Sequence, residues 1–294
     1  MRKLVEFPGE EAVLRGWLML PESAGPRPAV AMAHGFSATI DGMVADQYGD
    51  AFCDAGFAVL LYDHETFGRS GGAVRQHIDP WLQARGYRHA LDYLMTVPQV
   101  DPSRIGLWGD SFSGAVASAV TAVDERVAAL VAQVPAFGTT LALDDESIFV
   151  AMRTGMRERP PDVQGPGTTR PVVSTDQIGT PSHLTPLSAF HWFIKYGARH
   201  GTNWQNVATR VTRAARWNAT ACTTLIRAPA LYLLSPDDEM PGAHPPTAVA
   251  AARRTPNGEI ADIGGGHFGL LYDHEPEFAR AVKLETEFLQ RALG

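Results

Sequence analysis

Ile105-Gly-Leu-Trp-Gly-Asp-Ser-Phe-Ser-Gly-Ala-Val-Ala117 runs from an apolar segment through a glycine-flanked serine into small residues that suit a helix. Ser111 stands where a strand ends and a helix begins. A sharp strand-to-helix turn thrusts a serine hydroxyl out of the backbone, and small residues on both sides keep it from colliding with its neighbours. Here the turn reads Gly109-Asp110-Ser111-Phe112-Ser113-Gly114, with a serine where the common G-x-S-x-G pentapeptide has its second glycine. Taken alone it fits two readings equally well, an exposed nucleophile or a helix N-cap. The helix N-terminus beneath Ser111 favours developing negative charge.

Outward from this turn, strand and helix patterns alternate. Residues 1–20 read as two antiparallel strands. Segments 29–33, 57–62 and 127–134 are short apolar runs, as expected of strands buried on both faces of a parallel sheet. A helix is expected over 43–55. Asp79-Pro80 supplies an N-cap and a first-turn proline for another reaching about Thr96, with Ala84, Tyr87, Leu91 and Leu94 on one face. After 220 the alternation resumes with strands at 230–234 and 259–263, a helix near 246–254 and a last helix over 276–293. The apolar face of that last helix (Phe278, Ala281, Val282, Phe288, Leu289) is interrupted by Glu285. This pattern predicts an α/β fold with a doubly wound, mostly parallel sheet.

Between 136 and 219 the alternation stops. Prolines and glycines cluster at 160–161 and 165–171, helical pieces fall at 187–199 and 204–216, and aromatics are dense, among them Phe149, Phe190, Tyr196 and Trp204. We expect a helical cap insertion over residues 136–219 on a core made of 1–135 and 220–294. The insertion is rich in aromatics and methionine (Met152, Met156), as a cap over a pocket would be, and Phe137, Trp192 and Phe193 are the expected substrate-binding residues in it. The alternative is an extra helical layer with no role in binding substrate.

Composition narrows the function classes. The formal net charge is −7 and the basic residues are scattered, so no concentrated positive field exists for nucleic acid. The N-terminus has no apolar signal region, and no stretch is long enough to span a bilayer. A soluble, cytoplasmic protein is therefore expected. Two cysteines, Cys53 and Cys222, form neither a disulfide framework nor a zinc spacing. Cys53 reads as a small buried apolar residue.

A serine hydroxyl is a weak nucleophile until a base, a group orienting that base and oxyanion donors surround it. Each role has a candidate at the end of a predicted strand. Gly264-Gly-Gly-His267-Phe268 follows the last strand, which makes His267 the expected base, with His274 as its rival. Ser235-Pro-Asp237-Asp238-Glu239 follows the strand at 230–234, and Asp238 is preferred to Asp237 as the orienting acid. The oxyanion hole is expected from the backbone N–H groups of Phe36, in His34-Gly-Phe36, and of Phe112. A metal site built from the three acids and His244 is disfavoured, because they share one short turn with no second histidine cluster. No metal or cofactor is expected.

At these residues the chain resembles the α/β-hydrolase superfamily over essentially its whole length. More narrowly, it resembles the branch of dienelactone hydrolases, acetyl xylan esterases and the X-prolyl dipeptidyl peptidase-like domain, which includes thiohydrolases and transferases of polyketide pathways. The resemblance rests on Tyr62-Asp-His-Glu-Thr-Phe-Gly68-Arg-Ser70-Gly-Gly, on Trp108-Gly-Asp-Ser111-Phe-Ser-Gly114 and on Gly265-Gly-His267-Phe268. In that branch the serine at 113 is usual, whereas Asp110 before the nucleophile is not. The resemblance implies ester or thioester chemistry; with Ser111, His267 and Asp238 in their expected roles, the mechanism expected is acyl transfer from a small-molecule acyl substrate through a covalent acyl-enzyme. Acyl transfer or cyclisation by the same three residues, and a member that binds a small ligand without catalysis, are the alternatives. A homodimer is left open.

Overall fold

The computed structural model describes residues 2–22, 25–41, 44–142, 146–158, 167–197, 210–212 and 217–294. The chain opens with strands β1 (Arg2–Pro8), β2 (Val13–Met19) and β3 (Arg27–Ala33), then helix α1 (Ala45–Asp54), β4 (Ala58–Asp63) and the two-residue β5 (His77–Ile78). Helix α2 (Pro80–Leu94) leads to β6 (Val100–Asp110), α3 (Ser111–Val123) and β7 (Val127–Gln133). Next come α4 (Glu146–Gly155), α5 (Leu187–Gly197) and the two-residue β8 (Arg210–Val211). The chain closes with β9 (Ala230–Leu234), α6 (Pro245–Arg253), β10 (Gly258–Asp262) and α7 (Pro276–Leu293).

Eight strands form one sheet in the order β1-β2-β4-β3-β6-β7-β9-β10. β1 pairs antiparallel with β2, and β2 antiparallel with β4; every other neighbour is parallel. The central strands are short and apolar because both of their faces are covered. Alternate residues of β3 face opposite layers: Ala29, Ala31 and Ala33 join α2, α3 and α6, while Val30 and Met32 join α1 and α7. In α2 the Asp79 carboxylate accepts the Trp81 N–H at 2.9 Å and Pro80 opens the helix, so both local signals act where they stand. Among the described residues no helix is long and apolar enough to cross a membrane.

The segment expected to be a cap divides between two places. Met152 of α4 and Met156 just after it are fully buried in the layer of α2 and α3. The α2 arginines Arg85 and Arg88 donate to the carbonyls of Gly155 and Met156 at 2.6 and 2.9 Å. This part therefore thickens one side of the sheet, because its methionines fill that layer. Helix α5 instead lies on the α1/α7 side, where Trp192, Phe193 and Tyr196 are buried. The helix expected over 204–216 is not found in its described part: Arg210–Val211 is strand β8, parallel to β5, and residues 204–209 and 213–216 lie outside the described residues. Cys53, expected as a buried apolar residue, is only half-buried at the end of α1, whereas Cys222 is fully buried.

Candidate active site

β6 ends at Asp110 and α3 begins at Ser111 with no intervening residue. Ser111 takes φ of +50°, a left-handed conformation that a side-chain-bearing residue adopts at a cost of about 1–3 kcal/mol. The tightness of this turn requires Gly109, since a Cβ there would stand 2.5 Å from the carbonyl oxygen of Ser113. Gly35 answers a second close approach, because its Cβ would lie 2.9 Å from the Ser111 Cβ. The loop leaving β3 thus rests directly on the serine turn.

Ser111 Oγ lies 3.0 Å from His267 Nε2, and His267 Nδ1 lies 2.7 Å from Asp238 Oδ2. With the Nδ1–H donating to the carboxylate, Nε2 is left to accept from the serine hydroxyl. The His267 and Asp238 side chains are each 3% exposed. Asp238 Oδ1 also accepts the Met240 N–H at 2.9 Å. Asp237 points into solvent, where the Ser235 hydroxyl donates to it and holds its carboxyl below the usual range. Glu239 accepts the His267 N–H at 2.9 Å with one oxygen and the Ser188 hydroxyl of α5 with the other. It links the histidine loop to the helix above the cleft. His274 stays at the surface beside Asp273, Glu275 and Lys195.

Phe36 and Phe112 face each other, their rings edge to face at 6.3 Å. Phe112 lies in the first turn of α3, where N–H groups have no partner within the helix. The Asp110 carboxylate sits at the N-cap position but does not cap α3; it accepts the Gly35 N–H at 3.0 Å. Beside it, His34 Nδ1 makes a 3.3 Å electrostatic contact with the same oxygen, and His34 Nε2 accepts the Ala45 N–H of α1.

Below the turn, the loop after β4 is pinned. The Ser113 hydroxyl donates to the His34 carbonyl and lies 2.8 Å from His64 Nε2. Burial pushes His64 down to about 3, so it is neutral. Asp63 accepts the Ile40 and Arg69 N–H groups at 2.9 and 2.7 Å; burial nevertheless raises its carboxyl to about 6. Ser70 donates to the Asp63 carbonyl and accepts the Arg15 N–H. Glu65 accepts the Glu10 and Glu11 N–H groups. The motif loop therefore serves as scaffold: Asp63, Glu65 and Arg69 are engaged within and around the loop and do not line the cleft over Ser111.

The cleft over Ser111 is open on one side, and Phe36, Leu184, Trp192, Phe193, Met240 and Phe268 supply its apolar wall. Trp192 is fixed by its ring N–H, which donates to the Leu271 carbonyl at 2.8 Å, and it packs on Phe268 at 5.3 Å. Phe137, expected at the pocket, is not there. It packs in the opposite layer, with its ring 6.3 Å from that of Tyr232, while Val134 and Ala136 just before it face the α1/α7 layer. Phe268 and Met240 were readable only as neighbours of His267 and of the acidic turn, and Leu184 had no signal of its own. Among the described residues no group of three or more His, Cys, Asp or Glu side chains is placed to hold a metal; His244 turns to Thr247 at 3.0 Å.

An eight-stranded, mostly parallel sheet with a strained serine at its central strand-to-helix turn defines an α/β hydrolase. Among solved structures, the α/β hydrolase GrgF from Penicillium sp. sh18 is similar over 100% of this chain and 99% of its own, with a TM-score of 0.76 and 25% identity. The chain belongs to the hydrolase family described as serine aminopeptidase, S33, whose model matches residues 24–180. Its relatives include thiohydrolases and polyketide transferases. The quorum-quenching protein AidA of Acinetobacter baumannii (strain MDR-ZJ06) is 29% identical over 295 residues, 98% of this chain and 94% of that protein. A thiohydrolase of Eupenicillium brefeldianum is 31% identical over 212 residues, 71% of this chain and 67% of that one.

Proposed function

We propose that this protein is a serine hydrolase that cleaves an ester or thioester of an apolar acyl group through an acyl-enzyme on Ser111. The observation that carries this reading is the hydrogen-bonded line from Ser111 Oγ through His267 to Asp238, at 3.0 and 2.7 Å. As Oγ attacks the acyl carbonyl, its proton passes to His267 Nε2, and the imidazolium is stabilised by Asp238. The Phe36 and Phe112 N–H groups take the oxyanion, each such donor contributing roughly 10²–10³ in rate. Collapse breaks the bond to the leaving oxygen or sulfur, which receives the proton from His267. Water then repeats the sequence and releases the acid.

The acyl preference is supported by the cleft wall, where Phe36, Leu184, Trp192, Phe193 and Phe268 surround the nucleophile. Thiohydrolases among the relatives favour the thioester. Polyketide transferases among them favour a second reading, in which an alcohol or amine intercepts the same acyl-enzyme.

A fluorophosphonate probe tests the reading first: it should label the wild type and leave Ser111→Ala unlabelled. A panel of acyl esters and thioesters, with and without an acceptor alcohol, then separates hydrolysis from transfer by the products. An unlabelled wild type without turnover would favour a non-catalytic ligand-binding member.

A further inference from the structure

The residue before the proposed nucleophile holds a buried carboxylate that the acyl-enzyme sequence does not use. Asp110 is 2% exposed, lines the cleft and occupies the N-cap position of α3. Aspartate there ordinarily accepts an N–H from the first turn of its own helix. Here the extended backbone of Asp110 turns its carboxylate across to the neighbouring strand end, where it accepts the Gly35 N–H at 3.0 Å. Two consequences follow. The first-turn N–H groups of α3, Phe112 among them, are not taken by Asp110. The peptide joining His34 to Gly35 is clamped, and the next N–H along the chain belongs to Phe36. A peptide plane fixed one residue upstream restricts the direction of that N–H, because only two backbone dihedrals intervene.

The clamp is itself held. His34 Nδ1 contacts the same Asp110 oxygen at 3.3 Å, and His34 Nε2 accepts from Ala45 N at the start of α1. Ser113, two residues beyond the nucleophile, donates to the His34 carbonyl. The loop after β3 is thus tied at consecutive residues to the turn that carries Ser111, with Gly35 allowing the close approach.

We propose that Asp110 is a positioning residue for the oxyanion site: by taking the Gly35 N–H in place of a helix cap, it aims the Phe36 N–H and spares that of Phe112. This rests on the acyl-enzyme reading above. The acceptor oxygen carries the effect and the charge does not, since a negative charge near a developing oxyanion would oppose it.

The test compares Asp110→Asn, which keeps an acceptor oxygen without the charge, with Asp110→Ala and Asp110→Ser. Serine is a favoured N-cap, so Asp110→Ser is expected to fold, but it is too short to reach Gly35. Turnover of 4-nitrophenyl butanoate is measured with the affinity for an alkyl trifluoromethyl ketone, whose hemiketal oxyanion requires the same donors. We expect Asp110→Ser and Asp110→Ala to lose about 30–100-fold in kcat with KM within about threefold, and to lose ketone affinity by a similar factor. Asp110→Asn should stay within about threefold of wild type in both. Undiminished kcat in Asp110→Ser, a kcat loss with unchanged ketone affinity, or an Asn variant as impaired as Ser would each overturn the proposal. Full turnover in Ser111→Ala would instead overturn the acyl-enzyme reading, so the two failures are distinguishable.

Discussion

Ser113 Oγ lies 2.8 Å from His64 Nε2 and also donates to the His34 carbonyl, which joins three strand ends beneath Ser111. A glycine, usual at this place in the simpler pentapeptide, could make neither bond. Ser113→Ala should leave the imidazole N–H and the carbonyl unpaired in a dry site, at about 1–3 kcal/mol of stability. The urea midpoint measures this, and an unchanged midpoint would refute the structural role.

The choice between adjacent acids is testable by rate. Asp238 accepts from His267, whereas Asp237 faces solvent with Ser235. Asp238→Asn should reduce kcat by roughly 10⁴, the size of effect expected when the orienting acid no longer holds the imidazole tautomer. Asp237→Asn should leave kcat within about twofold, as surface substitutions usually do. Equal losses from both would contradict the assignment.

Phe193 is 2% exposed and lines the cleft. Burial of a large apolar side chain or its ligand counterpart amounts to about 1.5–3 kcal/mol. Phe193→Ala should therefore raise KM for a longer apolar acyl ester by about tenfold while an acetyl ester changes little. Chain-length profiles of kcat/KM for both proteins provide the comparison, and an identical profile would remove Phe193 from the acyl site.

Glu285 interrupts the apolar face of α7 and is fully buried, accepting the Trp108 ring N–H at 3.0 Å and the Gln133 amide at 2.5 Å. Burial raises its carboxyl from 4.5 to about 8. Between those values the folded protein keeps a proton that the unfolded chain has released. Stability from this group therefore falls as pH rises, by about 1.4 kcal/mol per unit at full slope, and levels off above the folded value. Glutamine mimics the neutral acid, so Glu285→Gln should lose that slope between roughly pH 5 and 8. Urea midpoints across that range should converge for the two proteins at the acid end; parallel curves would exclude a proton on Glu285.

Much of the fold could be read locally. Two-sided apolar runs, the Asp79-Pro80 helix start and the small residues around Ser111 carry their physical reason within a few neighbours. That His267 and Asp238 come together beside Ser111 was legible in the chain order at strand ends. Harder to read was everything set by the direction a side chain takes after packing. Phe137 and Phe193 look alike in sequence, yet one fills the layer against Tyr232 and the other lines the cleft. Met152 and Met156, grouped with the cap for their composition, pack under α2 and α3.

The sequence by itself determined the alternation of strands and helices, the serine turn and the short list of groups able to act beside it, because backbone preference and turn sterics are local. Tertiary structure decided which acid meets His267, which part of residues 136–219 lies beside Ser111, and that Asp110 serves Gly35, 75 residues away, rather than its own helix. Those choices depend on which strand ends lie side by side, and pairing across the sheet is a property of the whole chain.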